Sequence, residues 1–323
     1  MDNPLTPAPG TSAPRPGPPA EATRGTAPEP PAPPRREPQT MTATFLGIHT
    51  GSFSTPAAGN PTVVMVEAAY RHHGLDARYL NCEVTPEGLA DAVAGARAMG
   101  WAGFNCSLPH KVAVIGLLDG LAPSAEVIGA VNTVVATDGR LVGHNTDGQG
   151  FVESLRTVVD PAGLDLVVLG AGGAARAVAV ETALAGAASV TIVNRDAGRG
   201  EELARVVTEG TGVPATYVGW DHTFAVPEGA DVVVNATSVG FGDGDALVDV
   251  SLDTLRPGLV VADVVVSPPR TAFLRAAEER GARTLDGLGM LVGQGALAVR
   301  HWTGVEPDRA VMRAAAAGAL GME

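Results

Sequence analysis

Four scarcities in the chain each close off a class of function. Two cysteines, Cys82 and Cys106, in 323 residues are too few for a disulfide framework and lack metal-ligand spacing, so both read as core residues of a reduced, cytoplasmic protein. No stretch approaches the roughly 20 unbroken apolar residues that a membrane span needs, so no membrane association is expected. Basic residues are outnumbered, 22 against 35 acidic ones, for a net charge of −13. Asp2, Glu21, Glu29 and Glu37 balance Arg15, Arg24, Arg35 and Arg36 within the first 40 residues. The whole negative balance therefore sits on the rest of the chain, which repels phosphate backbones and anionic lipid. Nucleic acid is not an expected partner.

Lysine is the fourth scarcity: apart from Lys111, all the basic residues are arginine. Arginine serves wherever plain positive charge is wanted, but its guanidinium does not give up a proton. A partly buried lysine can be tuned until it does. One lysine kept by chance is the plain alternative, and the surroundings of Lys111 decide against it.

Residues 1–40 are rich in Pro, Ala and Thr with almost no large apolar side chains, and cannot bury enough surface to offset ordering. They read as a disordered tail without the apolar run of a signal peptide or the amphipathic pattern of a transit peptide, and Met41 is a candidate start. The remainder exceeds a typical single domain and suggests two. Short apolar runs alternate with amphipathic stretches: a strand over 44–48, a helix over 61–73, a strand over 77–81, a helix over 86–99 and a strand over 103–107. A second series follows Asp147, with a helix over 148–158, strands over 165–169, 189–194, 232–235 and 259–263, and a helix over 174–185. The segments 288–301 and 308–320 read as purely helical. Such alternation implies an α/β protein with mainly parallel sheets covered by helices.

The strand ending at Leu169 runs into Gly170-Ala171-Gly172-Gly173-Ala174-Ala175-Arg176 and then a helical pattern. This is a dinucleotide fingerprint in its required setting, with Ala175 in the third small position. Gly170 allows the tight turn, and Gly172 lets the backbone approach a pyrophosphate seated on the helix N-terminus. At the end of the next strand, Asn194 and Arg195 with Arg199 one turn on suit a 2′-phosphate better than a free ribose, since guanidinium forks match phosphate oxygens. NADP is favoured and NAD remains possible; Asp196 is the contrary sign, unless it only caps the helix.

Three polar clusters follow apolar runs: Asn105-Cys106-Ser107-Leu108-Pro109-His110-Lys111, Asn132-Thr133 and Asn145-Thr146-Asp147. Hydride exchange with an alcohol carbon needs a group that takes or gives the hydroxyl proton, which Lys111 can do with a neighbouring aspartate holding its amine. Asp147 alternatively reads as a helix N-cap. His72 and His73 are adjacent on one helix and point to different faces, so they form no metal pair, and no metal site emerges. His110 and His144 read as loop residues or as supports beside the site.

These clusters, together with the glycine fingerprint, Asn235-Ala236-Thr237-Ser238-Val239-Gly240 and Asp286-Gly287-Leu288-Gly289-Met290-Leu291-Val292-Gly293-Gln294, closely resemble the shikimate dehydrogenase family over residues 44–320. The resemblance implies NADPH-dependent reduction of 3-dehydroshikimate to shikimate, with Lys111 and Asp147 as the catalytic pair. It implies that Asn105, Ser107, Asn132, Gln294 and Thr55 contact a small cyclic polyol. Gly170, Ala171, Gly172, Gly173, Ala174, Asn194, Arg195, Arg199 and Thr237 would hold the dinucleotide, with Gly287 and Met290 beside the nicotinamide. The implied architecture is a substrate domain over 41–147, a Rossmann-like domain over 148–286, and C-terminal helices over 287–323 returning to the substrate domain, in a monomer or homodimer.

Two departures bear on the substrate. Where the family carries a Ser-x-Ser or Ser-x-Thr pair that binds the substrate carboxylate just before a proline, registering on Pro56 puts Phe53 and Thr55, unless the loop slips and Ser52 or Ser54 substitutes. Where the family has a tyrosine three residues after the aspartate of Asp263-Val264-Val265-Val266, this chain has Val266. A quinate-type or other cyclitol dehydrogenase with altered carboxylate recognition is therefore the alternative. A ligand sensor without turnover is the alternative of another class, against which an intact Lys111 and Asp147 stand.

Overall fold

The computed structural model describes residues 46–322; the expected tail over 1–40 lies outside them. In chain order come β1 (Ile48–Ser54), α1 (Thr62–His72), β2 (Ala77–Glu83), α2 (Leu89–Ala98), β3 (Gly103–Cys106), α3 (His110–Ala113), β4 (Gly120–Leu121), α4 (Pro123–Ile128), β5 (Thr133–Thr137) and β6 (Arg140–His144). Then α5 (Thr146–Leu155) leads to β7 (Asp165–Leu169), α6 (Gly173–Leu184), β8 (Ser189–Asn194), α7 (Ala197–Thr211), β9 (Ala215–Gly219), β10 (Val232–Asn235), β11 (Val260–Asp263), α8 (Ala272–Glu279) and β12 (Arg283–Leu285). The helices α9 (Gly287–Thr303) and α10 (Arg309–Ala319) follow.

The strands form two six-stranded sheets. The second, ordered β12-β11-β10-β7-β8-β9, is parallel throughout. Its central strands read Leu-Val-Val-Leu, Val-Val-Val-Asn and Val-Val-Ala-Asp and are buried on both faces, as strands covered by helices on both sides must be. The first sheet, ordered β2-β1-β3-β5-β6-β4, is mixed. β1 pairs parallel with β2 and β3, and β4 with β6, while β3, β5 and β6 run antiparallel. The reversal is made by a two-residue hairpin at Asp138-Gly139, where φ is +51° and +76°, the left-handed pair that a type I′ turn requires.

The first strand departs from its expected position. Thr44 and Phe45 lie outside the described residues, and β1 extends from Ile48 through Ser54. Hydrophobic packing draws it onward: the Phe53 ring stacks on Phe104 at 4.5 Å and tilts against Trp101 at 5.9 Å. At the other end of the chain, Val292, Ala296 and Val299 of α9 and Met312 and Ala316 of α10 share one core with Met65, Val66 and Ala69 of α1. Among the described residues no helix is long and apolar enough to cross a membrane.

Candidate active site

Lys111 lies on α3, whose backbone is tied to the loop before β5 by the Val131 N–H donating to the Lys111 carbonyl at 2.8 Å. Its Nζ donates to Asp147 Oδ2 at 2.6 Å, with the two side chains 29% and 17% exposed. Asp147 occupies the first turn of α5, but the cap of that helix is Asn145, whose side chain accepts from the Gly148 N–H. The carboxylate is thus released from capping and free to face the lysine. Its other oxygen, Oδ1, accepts from Asn132 Nδ2 at 2.9 Å. The Asn132 amide cannot flip without loss, because its Oδ1 accepts the Thr146 N–H at 2.7 Å.

A hydrogen-bonded chain continues behind this pair. Thr146 and Thr133 hydroxyls meet at 3.0 Å, Asn105 Nδ2 donates to Thr133 Oγ1 at 2.9 Å, and Tyr79 Oη donates to Asn105 Oδ1 at 2.8 Å. Nδ2 of Asn105 also serves the Asn132 carbonyl at 3.0 Å, so both amide hydrogens are engaged. What Asn105 can still offer a ligand is a lone pair on Oδ1. Buried polar networks satisfied in this way hold their members in one geometry.

Lys111, Asp147, Asn105, Ser107, Asn132 and Gln294 all line one cavity of about 230 Å³, joined there by Ala174, Gly287 and Met290. Among the described residues its only charged lining groups are Lys111 and Asp147. Gly287 opens α9 where a side chain could not fit, since a Cβ there would stand 2.4 Å from the Val265 carbonyl oxygen. Val266 lines the cavity. The loop carrying it is fixed by buried Asp263, which accepts from the Val265 N–H, Asn235 Nδ2 and Thr271 Oγ1; burial raises its carboxyl pKa. Cys106 lines the cavity too, but burial pushes its thiol up to about 12, despite the opposing pull of Lys111. It is a neutral thiol, not a nucleophile.

The first loop corrects the sequence expectation. Thr55 is not a lining residue: its hydroxyl donates to Glu83 Oε1 at 2.5 Å, and the cavity is lined by Asn60 and Thr62 instead. Phe53 belongs to the core, while Ser52 donates to Asn81 Oδ1 and Ser54 is buried. Asn60-Pro61-Thr62 leads into α1, with Pro61 at its N-cap. Asn60 is held there by accepting the Thr62 N–H at 3.0 Å and donating to Ser52 Oγ at 3.3 Å.

Gly170, Ala171 and Gly172 of the fingerprint border a second cavity of about 400 Å³ with Asn194, Arg195 and Thr237, while Gly173 is not among its lining residues. Gly170 has φ +106°, and a Cβ there would meet the Ala236 carbonyl oxygen at 3.1 Å. At Gly172 and Gly173 a Cβ would meet nothing within 4 Å, and no side chain caps α6. The open backbone and uncapped amides fit a pyrophosphate. Thr237 is positioned by Asn235, whose Oδ1 accepts from both its N–H and its hydroxyl. Arg199 is exposed and not among the lining residues; Asp196 caps α7 by accepting the Arg199 N–H at 3.0 Å. Trp220, Leu247 and Asp249 also line this cavity, and no sequence signal had marked them. Among the described residues no cluster of His, Cys, Asp or Glu could hold a metal ion.

His110 is buried with Nε2 against the Val84 carbonyl at 2.8 Å. His144 supports the site through its backbone carbonyl, which accepts the Asn132 N–H at 3.1 Å, and its ring packs 4.5 Å from that of His301. Burial, then the charge of His301, push the His144 pKa down to about 4. Because the folded value is depressed, the unfolded chain takes up the proton first. The stabilisation is present above about 6.5 and is lost as pH falls towards about 4. Calorimetric melting temperatures should therefore decline over that interval, and a His144→Gln variant should show a shallower decline; an unchanged slope would remove His144 as the cause.

Residues 55–134 match the shikimate dehydrogenase substrate binding domain and residues 287–317 the shikimate 5′-dehydrogenase C-terminal domain. A shikimate dehydrogenase (NADP(+)) of Methanopyrus kandleri is 44% identical over 82% of this chain and 93% of its own. Among solved structures, the ligand-free 5-ketofructose reductase of Gluconobacter sp. strain CHM43 is 56% identical, with TM-score 0.84, covering 85% of this chain and 99% of its own. Shikimate 5-dehydrogenase from Listeria monocytogenes, in complex with shikimate and NAD, is 37% identical, with TM-score 0.79, covering 85% and 98%.

Proposed function

The chain belongs to the shikimate dehydrogenase family, and on that premise we propose that it catalyses the reversible NADP-linked reduction of a ketone on a small polyhydroxylated substrate. The dehydroshikimate–shikimate couple is the pair that its curated relatives support. The observation that carries the reading is the 2.6 Å contact of Lys111 with Asp147 in a cavity shared with Ala174, Gly287 and Met290. Bound NADPH supplies the hydride for the carbonyl carbon. Lys111 Nζ gives the carbonyl oxygen its proton, so that ketone, hydride and proton sum to the secondary alcohol; in the other direction it takes that proton back. Asp147 aims the amine, and Asn132 holds Asp147. Gln294 accepts from Asn132 at 3.5 Å, leaving its amide hydrogens for a substrate hydroxyl, and Asn105 accepts from another. Substrate recognition falls to residues 41–147 with 287–323, and cofactor binding to 148–286 with Gly287 and Met290 at the nicotinamide.

A second reading of the substrate rests on Asn60 and Val266. Among the described residues the cavity has no cation apart from ion-paired Lys111; an isopropyl group, Val266, stands where the family has a tyrosine hydroxyl, and the Asn60 amide lines the cavity beside it. An amide presents both donor and acceptor to sugar hydroxyls. This lining suits a neutral polyhydroxy ketone, and the 56% identity to a 5-ketofructose reductase points the same way. Steady-state assays at 340 nm with shikimate, quinate and 5-ketofructose separate the readings by kcat/KM. Preferred turnover of shikimate supports the first, and preferred turnover of 5-ketofructose the second. Cofactor binding without turnover of any of them would leave a ligand sensor. In an Asn60→Ser/Val266→Tyr variant, each introduced donor should raise kcat/KM for shikimate relative to a neutral ketone by about tenfold. An unchanged ratio would remove these two positions as the discriminators.

A further inference from the structure

The cavity beside the fingerprint is lined by Gly170, Gly172 and Arg195 together with the apolar side chains of Trp220 and Leu247. Trp220 follows β9 directly and is pinned from two directions. Its backbone N–H donates to the Asn194 carbonyl at 3.2 Å, and its indole Nε1–H donates to the Asp249 carbonyl at 3.0 Å. Trp220 is partly buried against one core of the second sheet and also lines the cavity. Leu247, 44% exposed, lines the same cavity.

An indole locked in orientation, with apolar surface unspent, is built to receive a flat ring. The dinucleotide supplies one. Its nicotinamide end belongs in the catalytic cavity with Met290, and its pyrophosphate on Gly170–Gly172, so its adenosine end falls in this second cavity. Arg195 is placed there for a 2′-phosphate. We propose that Trp220 is the residue on which the adenine ring stacks, an inference that rests on the NADP reading above. Stacking on an aromatic face is sequence-tolerant and strong. It contributes equally to ground and transition states, so its loss should appear in KM and not in kcat.

The chain carries its own reporter. Of its three tryptophans, Trp101 and Trp302 are 8% and 7% exposed and lie in the cores around the first sheet. Titration of the full chain with 2′,5′-ADP, which lacks the nicotinamide, should quench tryptophan emission saturably. In Trp220→Phe the quench should vanish while 2′,5′-ADP binding by calorimetry weakens little. In Trp220→Leu, binding should weaken about tenfold and KM for NADPH should rise in step, with kcat unchanged. The contrast between phenylalanine and leucine separates stacking from simple filling of space. Tight calorimetric binding with no quench in the wild type, a quench that persists in Trp220→Phe, or wild-type affinity in Trp220→Leu would overturn the assignment while leaving the NADP reading intact. Absence of calorimetric binding by 2′,5′-ADP, with 5′-ADP bound and quenching, would keep Trp220 as the stacking residue and overturn NADP in favour of NAD. Binding of neither nucleotide would overturn both.

Discussion

Replacing Lys111 with arginine should lower kcat by about 10³-fold, within the range that proton transfer by a positioned side chain contributes. NADPH affinity should change little. The substitution preserves the positive charge beside Asp147 and the chance of an ion pair, so it does not strand the carboxylate. What it removes is a nitrogen able to give its proton to the developing alkoxide and take it back. A Lys111→Met variant is a poorer test, because Asp147, only 17% exposed, would keep one partner, Asn132 Nδ2 at 2.9 Å, and lose its counter-charge. Any lost activity could then come from a disturbed α5. Steady-state rates at 340 nm, paired with 2′,5′-ADP affinity measured by calorimetry, check the arginine variant. A rate near that of the wild type would dismiss Lys111 as the proton-transfer group.

That role of Lys111 is legible in the sequence alone, and the reason is physical. Lys111 stands out by its residue type, and the fingerprint from Gly170 to Ala175 stands out by local chain geometry, a strand, a tight turn and a helix in succession. Both signals lie within a few residues. Asn60 and Thr62 were not legible, because which side chain reaches the cavity depends on how many residues β1 consumes before the loop begins. Phe53 packs on Phe104 and Trp101 within β1, and the side chains that reach the cavity from the following loop are Asn60 and Thr62. The β5–β6 hairpin did carry a local mark, Asp138-Gly139 between apolar runs, which went unread against the expectation of a parallel sheet. Trp220 carried none: its relation to Gly170 exists only because β9 lies beside β8 and β8 beside β7. Residues whose role is set by non-local strand order escape a reading built on spacing.

The same distinction governs the second large effect, at Gly150. In the sequence it is one of several glycines near Asp147, with no turn to explain it. In the fold it is the point where α5 lies against α9: a Cβ at Gly150 would stand 2.4 Å from the Gln294 backbone nitrogen and 2.9 Å from the Met290 carbonyl oxygen. Gly293 faces it across the crossing, with its own Cβ position 2.8 Å from Gly150 Cα. Both contacts are with backbone, so neither side can yield by a change of rotamer, and one helix must move. A Gly150→Ala variant should lose about 3 kcal/mol, the upper end of overpacking costs, which lowers the melting temperature by roughly 5–10 °C in a chain of this size. Catalysis should fall as well, since the displaced segment of α9 carries Met290 and Gln294 into the catalytic cavity. Gly318 on α10, where a Cβ would meet nothing within 4 Å, is the control of opposite sign, because alanine favours a helix over glycine. Calorimetry on both variants checks the pair. If Gly150→Ala melted with the wild type, the crossing would have slack that these distances deny, and the placement of Gln294 would no longer depend on it.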